Sequence, residues 1–428
     1  MNFQDTLQYM YALLPMYQRI GNAAFKKDLT NTLKLCEFIG NPQKHVKMIH
    51  VAGTNGKGSS AHMIASILQA AGYTTGLYTS PHLKNFTERI RIDGEEIEEQ
   101  FVCEFIEKIQ KPIVEIQPSF FEVTVAMAFD YFLAKEVDIA VIEVGLGGRF
   151  DSTNIIHPLI SLITSIGYDH TDLLGNTLPE IAFEKAGIIK QKVPVVISQT
   201  QEEIRDVFMN KSLEMTAPIF FADEEISLHF LGVNDNMADY QAYYHGNTLI
   251  FSTDLLGNYQ IKNIPGVLRV IQLLNYLGFM ITDPDIVRGF SCVIPSTGLR
   301  GRWQKIGENP LVICDTVHNV SGIDDVVDQL NALDFDQLFI IWGVVEGKKP
   351  ELMLSRLPVD ARYFFCEPAL PRAMKAQKLS EIAGGFGLQG EIIPDVNDAL
   401  AKARSIATKT DLIFIGGSNF IVAELKEL

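Results

Sequence analysis

Cysteine is scarce and scattered in this chain. Cys36, Cys103, Cys292, Cys314 and Cys366 are the five among 428 residues, with no CxxC pair and no His/Cys cluster. That argues against a disulfide framework or a thiolate metal site and leaves reduced, mostly buried thiols as the expectation. Long apolar runs are missing too: nothing approaches the roughly 18 residues that a membrane-spanning helix needs. Basic residues are in deficit, 36 Lys and Arg against 52 Asp and Glu, for a formal net charge of −16. This balance disfavours nucleic acid and anionic membranes as partners, and an anionic substrate must then meet local positive groups. The first twenty residues carry no basic segment or small-residue cleavage site, and Pro15 interrupts them. A soluble, cytoplasmic protein is expected. No internal repeat or low-complexity tract is evident.

What is present is ordinary globular material, 47% hydrophobic and 21% charged, in a chain longer than one core usually serves. Two α/β domains are expected, 1–296 and 297–428. From His45 to Ser80 the text reads strand, glycine turn, helix, strand, which is one βαβ unit and implies a parallel sheet. Apolar strands follow at Val137 to Val144, Leu159 to Ile166 and Val193 to Ser198, each ending in polar or glycine-rich residues. The stretch from Glu202 to Tyr259 reads as a β-rich flap containing PIFFA and NTLIFS. PSTGLRGRW reads as a hinge because Pro, Ser, Thr and Gly cluster there. Five further strand candidates then alternate with helices, as in a small open α/β domain.

Chemistry gathers at the strand ends. Gly53, Thr54, Asn55, Gly56, Lys57, Gly58, Ser59 and Ser60 lie between a strand and a helix and have the parts of a phosphate-binding loop. Glycines let amide N–H groups turn toward an anion, the helix start adds a favourable dipole, and Lys57 supplies a point charge. The loop is a variant of GxxxxGK[ST], with Val51 at the first glycine position and Gly58 between lysine and serine. Glu143 closes an apolar strand, where it reads either as a Mg²⁺ ligand or water-orienting base or as a core-edge carboxylate. Ser80 and His82 close the second strand, and Asp169 and His170 close another. Arg302 falls in the expected hinge. Asp315, His318 and Asn319 follow the first strand of the second domain, where Asp315 is either a ligand contact or a plain helix cap.

Taken in order, these pieces resemble the folylpolyglutamate synthase/dihydrofolate synthase branch of the Mur ligase family, essentially end to end. The resemblance is carried by HVAGTNGKGS (50–59), TSPHL with FTERIRI (79–92), FFEVT (120–124), EVGLGGRFDSTN (143–154), YDHTDLLG (168–175), EKAGIIK (184–190), GRW (301–303), DTVHN (315–319) and GGSNF (416–420). It implies a P-loop-type parallel-sheet domain that binds ATP, followed by a smaller Rossmann-like domain that ligates glutamate. By the same resemblance Lys57 and the loop amides would hold the ATP phosphates. Ser59, Ser80, Glu143 and His170 would hold one or two Mg²⁺ ions, and Lys185 matches the lysine that the family carbamylates. Arg302 and Asn263 would contact phosphate and adenine, with Asp315 and His318 also meeting the nucleotide. Phe121, Asp151 and Ser152 match positions near the pterin, and Arg89, His318 and Ser418 are candidates for glutamate. Two departures stand out: Tyr259 replaces a histidine in LGNYQIKN, and VVEGKKP, with Glu346, Lys348 and Lys349, replaces an acidic DKD.

The implied reaction is phosphorylation of a carboxylate by ATP, followed by attack of the glutamate amine on the acyl phosphate. The acceptors would be dihydropteroate and reduced folates, and the enzyme would act as a monomer. Two other readings compete: another amino-acid ligase of the Mur family, and a nucleotide-controlled switch that hydrolyses ATP without making a product.

Overall fold

The computed structural model describes residues 1–16, 21, 27–244, 246–347 and 349–428, so Lys348 lies outside the described residues. The chain forms two compact units, Met1–Asp254 with Gln260–Leu299, and Leu255–Tyr259 with Arg300–Leu428. No helix among the described residues is long and apolar enough to cross a membrane. All five cysteines are free.

The first unit is built on eight strands: β1 (Met48–Ala52), β2 (Thr75–Tyr78), β3 (Ile90–Ile92), β4 (Glu95–Glu96), β5 (Ile139–Glu143), β6 (Ile160–Ile163), β7 (Val195–Ile197) and β8 (Ile219–Phe221). Their order is β4-β3-β2-β5-β1-β6-β7-β8, parallel except for the β2–β3 and β3–β4 pairs. β1, β2, β5 and β6 are buried at every position, as expected of parallel strands covered on both faces. β1 is central, and the chain leaves it toward β2 before later placing β6 on its other side. The strand order therefore reverses beside β1, which is where open α/β sheets place their ligands. Helix Phe120–Ala134 starts with a reciprocal cap between Ser119 and Glu122 and packs against Met48, Tyr78, Ala140 and Ile142. Helices Leu178–Ala186 and Glu202–Met215 pack against Ala52, Ile163, Val195 and Ile197.

The stretch read as a β-rich flap departs from that reading at its start. Glu202–Met215 is a 14-residue helix whose buried Ile204, Phe208 and Ser212 recur every fourth residue. PIFFA supplies β8, which joins the main sheet parallel to β7. Only the remainder forms a separate antiparallel sheet, β9 (Ser227–Asn234), β10 (Met237–Tyr244) and β11 (Asn247–Thr253), in the order β11-β10-β9.

The second unit is a six-stranded sheet of β12 (Gln304–Glu308), β13 (Leu311–Cys314), β14 (Leu338–Trp342), β15 (Arg362–Phe365), β16 (Gly390–Ile392) and β17 (Leu412–Gly416). The order is β12-β13-β17-β14-β15-β16, and only β12 runs antiparallel to its neighbour. β12 is the strand absent from the sequence reading. It is a half-buried edge with two charged residues in QKIGE, so it lacks the apolar run that marks the other five.

Candidate active site

β1, β5 and β6 end level with one another, because Val51 pairs with Glu143 and with Leu162, and Ala52 pairs with Ile163. The phosphate loop leaves β1 at this edge and enters helix Lys57–Ala70 through Gly56. Both turning glycines are required by shape. Gly53 has φ of +147°, and a Cβ there would fall 1.8 Å from Thr164 Oγ1; Gly56 has φ of +88°, with a Cβ 2.0 Å from Asn263 Oδ1. Thr164 Oγ1 donates to Asn55 O at 2.6 Å, and the Thr54 amide donates to Ser165 O at 2.8 Å. The loop is therefore clamped onto the residues after β6.

Two lysines converge on this loop. Lys57 Nζ donates to Gly53 O at 3.1 Å and to Thr54 O at 3.0 Å, while Lys185 Nζ donates to the same Gly53 O at 2.6 Å. Burial and the neighbouring Lys57 ammonium push the pKa of Lys185 down to about 7, against the pull of Asp169 and Asp151. A substantial fraction of Lys185 is then neutral amine near pH 7. Glu143 Oε2 accepts from the Ser80 amide at 3.0 Å, which ties the end of β5 to the residues after β2. His170 has φ of +50° and opens the short helix Thr171–Leu174; its Nε2 lies 3.8 Å from Asp169 Oδ2.

Ser59 Oγ accepts from Gln260 Nε2 at 3.3 Å, and Gln260 Oε1 in turn accepts from Asn263 Nδ2 at 2.8 Å. Ser60 Oγ is buried without a hydrogen-bond partner among the described residues. Gln260 and Thr164 were not singled out in the sequence, although each touches the loop. Nothing in their local text marks them, because their partners lie far away along the chain.

Among the described residues no group of three or more His, Cys, Asp and Glu side chains could hold a metal ion. The candidate donors, Glu143 and His170 with the hydroxyls of Ser59 and Ser80, include one carboxylate. That set fits Mg²⁺, which is commonly held by one or two carboxylates together with substrate phosphates rather than by a protein cage.

Beside this edge, Phe121 stands in the first turn of helix Phe120–Ala134, its ring centroid 6.1 Å from that of Tyr78. Gly145 backs directly onto it, since a Cβ would lie 2.4 Å from Phe121 Cζ. Asp151 and Ser152 are buried. Asp151 Oδ2 accepts from the Leu146 amide at 2.8 Å and Oδ1 from the Thr153 amide at 3.0 Å, so the carboxylate is engaged by its own loop. Burial raises its pKa against those hydrogen bonds. Arg89 is buried, donates through Nε to His82 Nδ1 at 2.8 Å and lies over the Phe120 ring at 5.4 Å. Burial and the Arg89 charge lower the pKa of His82 to about 3, so it meets the guanidinium as a neutral acceptor.

In the second unit, Asp315 and Ser418 follow the adjacent parallel strands β13 and β17. Asp315 Oδ2 accepts from Tyr259 Oη and from the Trp303 amide, both at 2.7 Å, and Oδ1 accepts from the Val317 amide at 2.9 Å. Tyr259 is thus a ligand of Asp315. Burial raises the pKa of Asp315, opposed first by the Arg302 charge. Arg302 Nη1 donates to Gly301 O and to Thr316 Oγ1. His318 Nδ1 lies 2.9 Å from Thr316 O, so this nitrogen carries the proton and Nε2 is the acceptor in the neutral ring. Asn319 caps helix Val320–Asn331, and Ser418 caps Asn419–Ala423.

Two family models match the chain: the Mur ligase middle domain over residues 51–271 and the Mur ligase glutamate ligase domain over residues 301–419. The chain is 32% identical over 448 residues to the dihydrofolate synthase/folylpolyglutamate synthase of Bacillus subtilis, covering 99% of this chain and 98% of that protein. Its fold is similar to that of E. coli FolC in complex with DHPP and ADP, with a TM-score of 0.86 at 27% identity, covering 99% and 96% of the two chains. It is also similar to a bifunctional folylpolyglutamate synthase/dihydrofolate synthase with Mn, AMPPNP and L-glutamate bound, with a TM-score of 0.84 at 26% identity, covering 99% and 97%.

Proposed function

From the premise that this chain belongs to the Mur ligase family, in its folylpolyglutamate synthase/dihydrofolate synthase branch, and is an ATP-dependent ligase, we propose that it adds L-glutamate to dihydropteroate and to the γ-carboxylate of reduced folates. The observation that carries this reading is the clamped Gly53–Ser60 loop, with two lysine amino groups on the Gly53 carbonyl and Glu143 at the neighbouring strand end. The solved relatives with ADP, or with Mn, AMPPNP and L-glutamate, support ATP, a divalent cation and glutamate as its ligands.

In this reading the loop amides and Lys57 bind the β- and γ-phosphates and hold the γ-phosphoryl in line with the acceptor carboxylate. Transfer gives an acyl phosphate and ADP; the glutamate amine then adds to the activated carbonyl, and phosphate leaves. Ser59, Ser80, Glu143 and His170 would hold one or two Mg²⁺ ions, which supply charge neutralisation on the phosphates when bound. Asn263, Arg302 and Asp315 are assigned to the nucleotide, with His318 serving both nucleotide and glutamate. Arg89 and Ser418 are assigned to glutamate, and Phe121, Asp151 and Ser152 to the pterin. Residues 1–296 would carry the ATP and folate functions and 297–428 the glutamate-ligating one. Lys185, with its pKa near 7, has the neutral amine that reacts with CO₂, and a carbamate there would keep one N–H for Gly53 O. The free thiols support a cytoplasmic location, where the protein would act as a monomer.

A coupled ADP-release assay decides among the readings. ADP release that requires both glutamate and a pteroate or folate acceptor is expected. Release with neither would indicate a nucleotide switch, and release with a different amino acid or acceptor another Mur-type ligase.

A further inference from the structure

One hydroxyl that the site assignment leaves unused sets the shape of the loop after β5. Thr153 Oγ1 donates to Asp151 Oδ1 at 2.5 Å, alongside the Thr153 amide at 3.0 Å. The same hydroxyl lies 2.8 Å from His50 Nε2. His50 belongs to β1, shortly before Gly53, and is completely buried; its Nδ1 has no hydrogen-bond partner among the described residues. These contacts settle the tautomer. The Thr153 hydroxyl gives its single proton to Asp151, so the ring nitrogen facing it is the donor and Nδ1 is left unprotonated. Burial and the Lys190 charge keep the ring neutral, with a pKa lowered to about 3. Nε2–H therefore donates to Thr153 Oγ1, which directs its own proton to Asp151.

Asp151 passes the constraint on to the loop. Its Oδ2 takes the Leu146 amide, its own amide donates to Gly148 O at 3.1 Å, and Gly145 at the start of the loop abuts Phe121. We infer that Thr153, oriented by His50, is a positioning residue for acceptor choice: it fixes the Asp151 carboxylate and the loop against Phe121, so that the short acceptor dihydropteroate depends on it more than folate extension does. This rests on the reading that Phe121, Asp151 and Ser152 meet the pterin.

Thr153→Val keeps the side-chain volume and removes the hydroxyl, while Thr153→Ser keeps the hydroxyl. Steady-state kcat/KM for dihydropteroate and for a folylmonoglutamate is measured in both, with Asp151→Asn beside them. The valine variant is expected to lose about tenfold more on dihydropteroate than on folate, mainly through KM, and the serine variant to stay within about twofold of wild type. Equal losses on both acceptors, or a serine variant as impaired as valine, overturn the inference. A selective Asp151→Asn with an unselective Thr153→Val sinks the inference alone; an Asp151→Asn without effect on dihydropteroate removes the pterin reading beneath it. Should the valine variant fail to fold, histidine-selective ¹⁵N spectra of the wild type decide: a neutral Nε2–H tautomer for His50 from pH 5 to 8 supports the chain of donors, and Nδ1–H refutes it.

Discussion

At the end of β1 the amino groups of Lys57 and Lys185 share the Gly53 carbonyl, whereas at the end of β13 a single carboxylate, Asp315, collects Tyr259 Oη and two backbone amides. Both places are carboxyl ends of buried parallel strands, yet burial acts on ions of opposite sign. In the first it lowers the pKa of a lysine, and in the second it raises that of an aspartate. The first edge gathers two lysine amino groups on a carbonyl, and Lys57 is its standing cation for an incoming anion. The second has its anion built in and spends its donors on aiming it. Strand ends thus provide position, while the local supply of donors or cations decides what each position can bind.

The comparison breaks most visibly at Lys57. Lys57→Ala removes the loop's own point charge, and ligation is expected to fall by about 10²–10³ in kcat while the circular dichroism spectrum stays native. Near-normal turnover in that folded variant would remove the anion-receiving role of the first edge.

Lys185 gives the next effect. Lys185→Met should abolish most ligation, and ¹³CO₂-enriched wild type should show a carbamate resonance that the variant lacks. Its folded pKa of about 7 lies below the ordinary 10.5, so between those values the unfolded chain binds the extra proton and stability rises with pH. Urea melts from pH 7 to 9, run without CO₂, should rise less steeply in Lys185→Met than in wild type. Identical slopes would mean that the lysine is not held against its charge.

Phe121→Ala tests the flank of the first edge. A loss about tenfold larger for dihydropteroate than for folate extension is expected, because only the shorter acceptor needs that ring to reach the γ-phosphate. Equal losses in kcat/KM would end the separation of the two acceptors.

The smallest effect belongs to the second edge. Tyr259→Phe takes one of three donors from Asp315 and should raise KM for ATP about threefold to tenfold with kcat little changed. Tyr259→His, which restores the family's residue, should recover part of the loss. A kcat effect without a KM effect would contradict an aiming role.

Much of the architecture was legible because it depends on local text: a strand, a glycine turn and a helix from Met48 to Ala70, and apolar runs at β5, β6, β14 and β17. The loop residues were legible for the same reason, whereas Lys185 entered only through the resemblance of EKAGIIK to the family. β12 was missed because a half-exposed edge strand carries no apolar run, and helix Glu202–Met215 because its buried positions are sparse. Gln260, Thr164, Thr153 and His50 escaped notice on other grounds. Each makes a hydrogen bond to a residue remote in sequence, and only the folded chain brings the two partners together.

The clamp on the phosphate loop also shapes how such a protein can change by descent. Gly53 leaves no space for a methyl group while Thr164 keeps its hydroxyl, and that hydroxyl holds Asn55; Gly56 is blocked in the same way by the Asn263 amide. A viable alteration at either glycine therefore needs a compensating one elsewhere, and the first of the two to arise would be inactive alone. Phe121 is paired in the same way with Gly145, whose Cβ would meet the ring, but there the side chain can change first, because a smaller residue at position 121 only clears space. Acceptor preference can drift there by single steps in a lineage whose phosphate loop stays frozen.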